Sequence, residues 1–363
     1  MRGAKGSLGT QSEEGEDVTE IGQSADRDEA PSPDDERKPQ SPQHITKRSW
    51  KYVFRRTIAE FSADQGQDAA AALTYYGVLS AFPALLAVFS LLGVVGQGGS
   101  AADAVLKIVR QVAPGQTVDL IEGPIHQFAS SSAAGLGLVV GIVLAVWSAS
   151  GYVGAFSRAM NRIYEIDEGR PFWVLKPSQL LITLVLVVLV AMMAVMLIIS
   201  GPLIGAIGNA IGVGDVATSV WSIARWPVMA LALIFAVALL YWGTPNVKQP
   251  RFRWISLGSL FAIVVLAIAT VGFAFYVANF ANYNKSYGSL GGVIVFLVWL
   301  WIVNLVLLLG AEFDAELERG RELQAGMDAA EEIQLPPRGT RQSEKAVEKA
   351  EKLIADAEEL RKS

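Results

Sequence analysis

The sequence contains no cysteine and only two histidines among its 363 residues. Without cysteine the chain can form no disulfide, no thiolate nucleophile and no cysteine-based metal site. His44 and His126 lie in different regions, which argues against a histidine metal centre or a histidine acid–base pair. We therefore expect a protein that is not an enzyme, with no cofactor, no bound metal and no catalytic residues.

Long apolar stretches are abundant instead, and 52% of the residues are hydrophobic. A helix rises about 1.5 Å per residue, so roughly 20 residues cross the hydrocarbon core of a bilayer. Six stretches approach or exceed this length: 69–95, 134–160, 181–199, 220–241, 257–280 and 290–310. The pattern predicts an all-α integral membrane protein with six transmembrane helices.

Lysine and arginine are divided unevenly between the two sides that these six stretches define. Fourteen flank the span ends on the side of both termini, whereas Lys107, Arg110 and Lys285 are the three on the opposite side. Cytoplasmic loops of membrane proteins carry the excess of positive charge. Both termini are therefore predicted to lie in the cytoplasm.

Composition divides the chain into four regions. Residues 1–43 hold eleven acidic and five basic side chains with few large apolar ones, which predicts a disordered tail. Residues 44–66 predict an amphipathic helix on the membrane surface, with a packed cytosolic helix as the alternative. Residues 67–316 form the predicted membrane domain, with an external helical hairpin between the first two spans, and residues 317–363 a charged, partly helical cytoplasmic tail.

Polar, aromatic and small residues gather on one face of several predicted spans. Such faces either pack helices closely or line a path through the membrane. Near the cytoplasmic span ends the pattern predicts a cluster of Asp68, Arg158, Asn161 and Glu312, as a structural ion-pair network or as the mouth of a pathway. The other candidates for a cavity or gate are Tyr75, Tyr76, Trp147, Gly151, Tyr283, Tyr287, Gly288 and Trp299.

Several of these motifs occur together in a known order. They are AAALTYYGVLSAFP at 70–83, WSASG at 147–151, NRIY at 161–164, PNV at 245–247, YGSLGG at 287–292 and GAE at 310–312. With this order and spacing the chain resembles the YihY/BrkB family of bacterial inner-membrane proteins, once labelled as ribonuclease BN. Leu257 and Asp314 depart from the proline and asparagine that are frequent there. The resemblance implies six membrane helices with both ends inside, in the bacterial cytoplasmic membrane, and no settled activity.

The ribonuclease label is not supported by the residues, because RNA hydrolysis needs metal ligands or an acid–base pair on an accessible surface. We expect no nucleic-acid partner. The favoured hypothesis is a transporter or lipid translocator with a polar cavity between predicted spans one, two, five and six, acting on an amphipathic or lipid substrate among membrane lipids. The alternative is a non-transporting scaffold or envelope-assembly factor that acts through its tails. Glycines of span six fit packing within a monomer or within a homo-oligomer.

Overall fold

The computed structural model describes residues 27, 30–94, 106, 122–123, 134–198, 214–250, 256–280 and 290–363. Regular structure in these residues is helical, apart from an isolated antiparallel bridge between Val247 and Pro337. A short 3₁₀ helix at Pro42–His44 precedes the α-helices. These are α1 Lys47–Ala63, α2 Gly66–Val94, α3 Ala134–Ile163, α4 Phe172–Ile198, α5 Gly214–Gly243, α6 Leu257–Phe280, α7 Leu290–Gln324 and α8 Arg341–Lys362.

Four of these helices are long and apolar enough to cross a membrane. They contain the segments Phe172–Met193, Thr218–Gly243, Leu257–Ala278 and Gly291–Gln324. The all-α class and the apolar spanning helices are thus confirmed. Helices α2 and α3 cover the first two predicted spans, and the count of six spans with both ends inside stays a prediction. The predicted external hairpin lies outside the described residues, except for Leu106, Glu122 and Gly123.

Helix α7 occupies the centre of the arrangement. It packs against α1, α2, α3 and α6, whereas α4 packs between α3 and α5, and α5 contacts α6. With 35 residues α7 is about 52 Å long at 1.5 Å per residue, far longer than a bilayer core requires. Its second half therefore extends beyond the apolar stretch, where it contacts loops and part of the N-terminal tail.

Those loops and tails form one end of the bundle, which we call the charged end (residues 30–66, 161–171, 244–250 and 311–341). Two strand-like segments meet here, because Lys248 N donates to Pro336 O at 2.8 Å and Arg338 N donates to Asn246 O at 2.8 Å. Gly169 packs directly on the backbone of Gly339, and a Cβ atom there would lie 1.9 Å from its carbonyl oxygen. The loop after α3 and the segment before α8 are therefore held in direct contact.

Helix α1 packs on the far half of α7. The Thr46 side chain caps its first turn by accepting a hydrogen bond from Ser49 N at 3.2 Å. Val53 is fully buried against α7, whereas Phe54 and Ile58 remain exposed. One face of α1 is packed, as expected for a cytosolic helix, and another face exposes apolar side chains, as expected for a helix on a membrane surface. Its placement on a membrane surface stays a prediction.

Part of the segment with a disorder-like composition is packed in this structure. Lys38 is buried, and its Nζ atom lies 2.9 Å from Glu318 and 3.1 Å from Glu322 of α7. Arg321 donates to the carbonyl oxygen of Pro39 at 2.9 Å. Composition alone misses this packing because the ion pairs join residues about 280 positions apart.

Candidate functional site

The polar faces of α2, α3 and α7 meet inside the bundle through one side chain of α7. Asn304 is buried; its Oδ1 accepts a hydrogen bond from Tyr152 of α3 at 2.8 Å, and its Nδ2 donates to Thr74 of α2 at 3.1 Å. Hydrogen bonds of this kind join helices where water is absent. Three polar side chains that lie outside the predicted cavity-lining set thus hold these helices together.

The aromatic candidates of the first two spans are split between contact and exposure. Tyr76 packs on Gly151, where a Cβ atom would lie 3.0 Å from the tyrosine ring. Tyr75 and Trp147 are 61% and 68% exposed, and Lys176 lies 5.6 Å above the Trp147 ring. Trp299 is half-buried. Tyr283, Tyr287 and Gly288 lie outside the described residues.

The four polar candidates near the span ends are not brought into one cluster. Asp68 and Arg158 are exposed, whereas Asn161 and Glu312 are buried. Arg158 faces outward because the neighbouring positions Phe156 and Met160 are the ones that α3 turns into the core. No ion pair joins Asp68, Arg158 and Glu312 within the part of the chain that the structure describes.

Asn161 has a structural contact instead. Its Oδ1 accepts a hydrogen bond from the backbone of Asn246 at 2.7 Å, and its Nδ2 donates to Glu168 at 3.0 Å. Asn246 in turn donates to the carbonyl oxygens of Asp167 at 2.8 Å and Gly339 at 2.9 Å. The NRIY and PNV motifs therefore fix two loops and the segment before α8 to one another.

A second set of contacts at the charged end surrounds Arg319, which is fully buried on α7. Its guanidinium lies 2.6 Å from Glu165 and 2.9 Å from Glu316, and it also donates to the carbonyl oxygens of Ala329 and Glu331. Ile333 N donates to the other oxygen of Glu165 at 3.1 Å. The network orders the chain that follows α7.

The turn between α1 and α2 brings another carboxylate to this end. Gln65 adopts a left-handed φ of 55°, and the lack of a side chain at Gly66 lets the Phe61 ring pack over the turn. Partial burial, together with the charges of Glu165 and Glu60, raises the pKa of Asp64 to about 7. Asp64 can therefore change its charge near neutral pH.

A cavity at the charged end lies on the opposite side of α7 from Asp64. It has a volume of about 270 Å³ and is lined by Tyr164, Tyr241 and Trp242, by apolar side chains that include Leu257, and by Asp314 and Glu318. Residues of the segment 34–45 form one wall. We call it the tail-capped cavity. It lies between α5, α6, α7 and the tail, and not between predicted spans one, two, five and six.

Hydrogen bonds position the walls of this cavity. Asp314 accepts a hydrogen bond from Gly258 N at 2.6 Å, which fixes the start of α6 on α7. Tyr241 donates to the carbonyl oxygen of Leu307. Arg338 stacks 4.9 Å from the Trp242 ring and donates to the Trp242 carbonyl oxygen at 2.5 Å, and burial lowers the pKa of Arg338 to about 10.

Sequence reasoning missed Asn304, Lys38 and the cavity. Asn304 is an amide within a long apolar run, and this is the signal by which it could have been found. Lys38 carries no local signal, since one lysine in an acidic tail is ordinary. The sequence did single out Asp314 as a departure from the pattern of the family, and this residue lines the cavity.

Comparison with known proteins identifies similar chains. The family model described as "Virulence factor BrkB" matches residues 57–333. A ribonuclease-like protein, YfkH of Bacillus subtilis, is 32% identical over 271 residues, which cover 74% of this chain and 96% of that protein. A UPF0761 membrane protein of Azotobacter vinelandii is 28% identical over 75% of this chain and 64% of its own length.

A UPF0761 membrane protein of Rhodospirillum centenum is 27% identical over 74% of this chain and 58% of its own length. The match therefore spans less than two thirds of the Azotobacter and Rhodospirillum proteins. No solved structure matches the chain.

Proposed function

The chain belongs to the virulence factor BrkB family of bacterial membrane proteins, and from this premise we propose that it is a transporter or lipid translocator. The observation that carries the proposal is the tail-capped cavity. Ligand sites are concave and largely apolar, with a few polar groups that fix orientation, and they range from about 300 Å³ upward. A cavity of about 270 Å³ lies at the lower edge of this range, so it suits a lipid headgroup or a small solute.

The lining indicates what kind of group would enter. Tyr164, Tyr241 and Trp242 offer aromatic surface, Asp314 offers a carboxylate, and Arg321 and Glu318 form an ion pair in the lining. An amphipathic molecule would place its apolar part between α5 and α6 and its polar part against Asp314, Glu318 and Arg321. We propose that the charged end faces the cytoplasm of the bacterial inner membrane, as the lysine and arginine distribution predicts.

The test is lipid movement in proteoliposomes. Purified protein is reconstituted with fluorescent phospholipids, and a membrane-impermeant quencher is added outside. We expect the inner-leaflet label to become accessible to the quencher, and Trp242→Ala to slow this at least about tenfold. Trp226→Ala is the matched control, because Trp226 lies on the same helix and does not line the cavity. Quenching of the outer leaflet alone, in well-folded samples, would contradict passive lipid movement.

A scaffold remains the second candidate, because α8 carries apolar side chains that face solvent. Leu353, Ile354 and Leu360 are exposed on this charged helix. Removal of residues 343–363 should abolish a scaffolding function and leave lipid movement largely intact. We propose a non-enzymatic role in either case; the ribonuclease-like name belongs to the Bacillus protein. Among the described residues no group of three His, Cys, Asp or Glu side chains is placed to hold a metal ion.

A further inference from the structure

Two carboxylates face a small pocket on the side of α7 that is turned away from the tail-capped cavity. The pocket lies between α1, α2, α3 and α7, and both Asp64 and Glu312 line it. Its other walls are mainly apolar, with Phe61, Ile163 and Leu308 among them. The volume of about 10 Å³ is close to the space that one water molecule needs. We call it the carboxylate pocket.

Glu312 is the unusual member of the pair. Its side chain is 1% exposed, and its Oε2 atom is buried without a hydrogen-bond partner in the described part of the chain. An ionised carboxylate is strongly disfavoured in such surroundings because it is removed from water without a compensating partner. A bound proton removes this cost and gives the oxygen a hydrogen to donate.

Charged groups approach the carboxylate pocket from every element around it. They are Arg56 and Glu60 on α1, Asp64 in the turn, Arg162 on α3, Glu165 after α3, and Glu316 and Arg319 on α7. Asp68 in the first turn of α2 is exposed. Both acidic and basic side chains are present. An arginine paired with a carboxylate stabilises its ionised form, so the carboxylates without such a pair are the ones that take up a proton more readily.

Most of these acids are paired. Arg56 lies 3.1 Å from Glu60 and 3.5 Å from Glu316, and Arg319 pairs with Glu165 and Glu316. Arg162 donates to the main-chain oxygen of Asp64 at 3.1 Å, and not to its carboxylate. Neither of the two acids that line the pocket, Asp64 and Glu312, has an arginine on its carboxylate among the described residues.

We propose that Asp64 and Glu312 form a proton-binding site that couples transport to the proton gradient, an inference that rests on the transport function proposed above. Asp64 is partly exposed and takes a proton from the solvent on the charged end. A water molecule in the carboxylate pocket then accepts the proton of Asp64 while it donates one of its own to Glu312 Oε2. The net result is one proton on Glu312 and an ionised Asp64, with no other reactant.

Helix α7 gives this site a direct route to the tail-capped cavity. Glu312 and Asp314 are two residues apart, and at 3.6 residues per turn they point about 200° apart around the helix axis. Glu312 faces the carboxylate pocket, whereas Asp314 lines the cavity and holds the start of α6. A rotation or shift of α7 on protonation of Glu312 would therefore move a wall of the cavity.

The test is infrared spectroscopy of the purified full-length protein during a pH titration. We expect a protonated-carboxyl band at neutral pH that is lost in Glu312→Gln and retained in Glu348→Gln, a control that removes an exposed carboxylate paired with Lys352. Asp64→Asn should shift the pH at which the band disappears. Asp64 lies at the edge of the pocket, so the shift in Asp64→Asn still tests the proposal if Glu312→Gln does not fold. A band that is the same in all four proteins would overturn the proposal.

A second measurement separates the proton site from the transport function. Lipid movement in proteoliposomes is followed with and without an imposed pH gradient. The proposal expects at least a threefold change with the gradient in the wild type and none in Glu312→Gln. Lipid movement that ignores the gradient would overturn the coupling and leave the transport function standing. A band that depends on Glu312, without lipid movement, would support the proton site and contradict the transport of lipids.

Discussion

The ammonium group of Lys38 lies 2.9 Å from the carboxylate of Glu318, and the two side chains are 0% and 7% exposed. Lys38 belongs to the tail and Glu318 to the far half of α7, where it also lines the tail-capped cavity. One ion pair therefore connects the position of the tail to the wall of the proposed substrate site. Removal of one partner from a buried ion pair typically costs about 3–5 kcal/mol, because the remaining charge is left unpaired.

Lys38→Ala should release the tail from α7. The chain contains no native cysteine, so Ser41→Cys provides a clean reporter on the wall of the cavity. We expect the labelling rate of this position by a maleimide to rise at least about tenfold in the Lys38→Ala background. Arg37→Ala is the control, because Arg37 pairs with Asp35 at the exposed surface and such pairs contribute little. Equal labelling rates in all three backgrounds would refute a role for Lys38 in holding the tail.

Asn304→Ala should weaken the joint between α2, α3 and α7. The substitution leaves the Tyr152 hydroxyl without its partner and removes the bond to Thr74. Each lost hydrogen bond costs about 1 kcal/mol, and 1 kcal/mol lowers the Tm by about 2–4 °C for a domain of 150–250 residues. Thermal unfolding in detergent checks this. In a double-mutant cycle with Tyr152→Phe, the two effects should be less than additive; strict additivity would show that the contact contributes nothing.

The stability of the protein should depend on the charge of Asp64. Its pKa is raised from 3.8 to about 7 in the folded state, so the folded chain binds more protons than the unfolded chain between these values. The stabilisation by protonation is complete below pH 3.8 and is lost as the pH rises through about 7.

Asp64→Asn should therefore flatten the dependence of Tm on pH in this window. After allowance for its partial exposure, we expect a gain of about 2–4 °C in Tm at pH 8. Asp328→Asn, at an exposed position, should leave the profile unchanged. A wild-type profile that rises with pH, or one that Asp64→Asn does not alter, would contradict the assignment.

Gly169→Ala should disrupt the contact between the loop after α3 and the segment before α8. The added Cβ atom would lie 1.9 Å from the carbonyl oxygen of Gly339, so one backbone must move. We expect a loss of about 3 kcal/mol or more and faster hydrogen exchange in residues 325–340. Gly272→Ala is the control, because no atom lies within 4 Å of a Cβ there. Matching exchange rates in the two variants would argue against this contact as a stabilising one.

The sequence supports the membrane character and the family because these depend on local signals. A run of about 20 apolar residues indicates a membrane-spanning helix without reference to the rest of the chain. Motifs such as NRIY and PNV indicate the family by their order and spacing. The all-α class and the apolar spanning helices followed directly. The matched order of the motifs anticipated the family to which the chain belongs.

The site was less accessible to sequence reasoning because its contacts are long-range. Polar faces of predicted spans indicate that helices meet there, but not whether they leave space between them. Asn304 bonds to Thr74 of α2 and Tyr152 of α3, whereas the tail-capped cavity lies between α5, α6, α7 and the tail. Glu312 was predicted to join a cluster at the cytoplasmic span ends, whereas its neighbour Asp64 is placed by the geometry of one turn.

The bridge between Val247 and Pro337 also has a consequence for biosynthesis. Ribosomes release a chain from its N-terminus onward, so the loop after α5 is made well before the segment that pairs with it. Until residues 336–339 emerge, Asn246 lacks its bond to Gly339 and Lys248 lacks its bond to Pro336, whereas the bonds of Asn246 to Asn161 and Asp167 need only earlier residues. The contact between these loops and the segment before α8 therefore closes only after the residues of α7 have been synthesised.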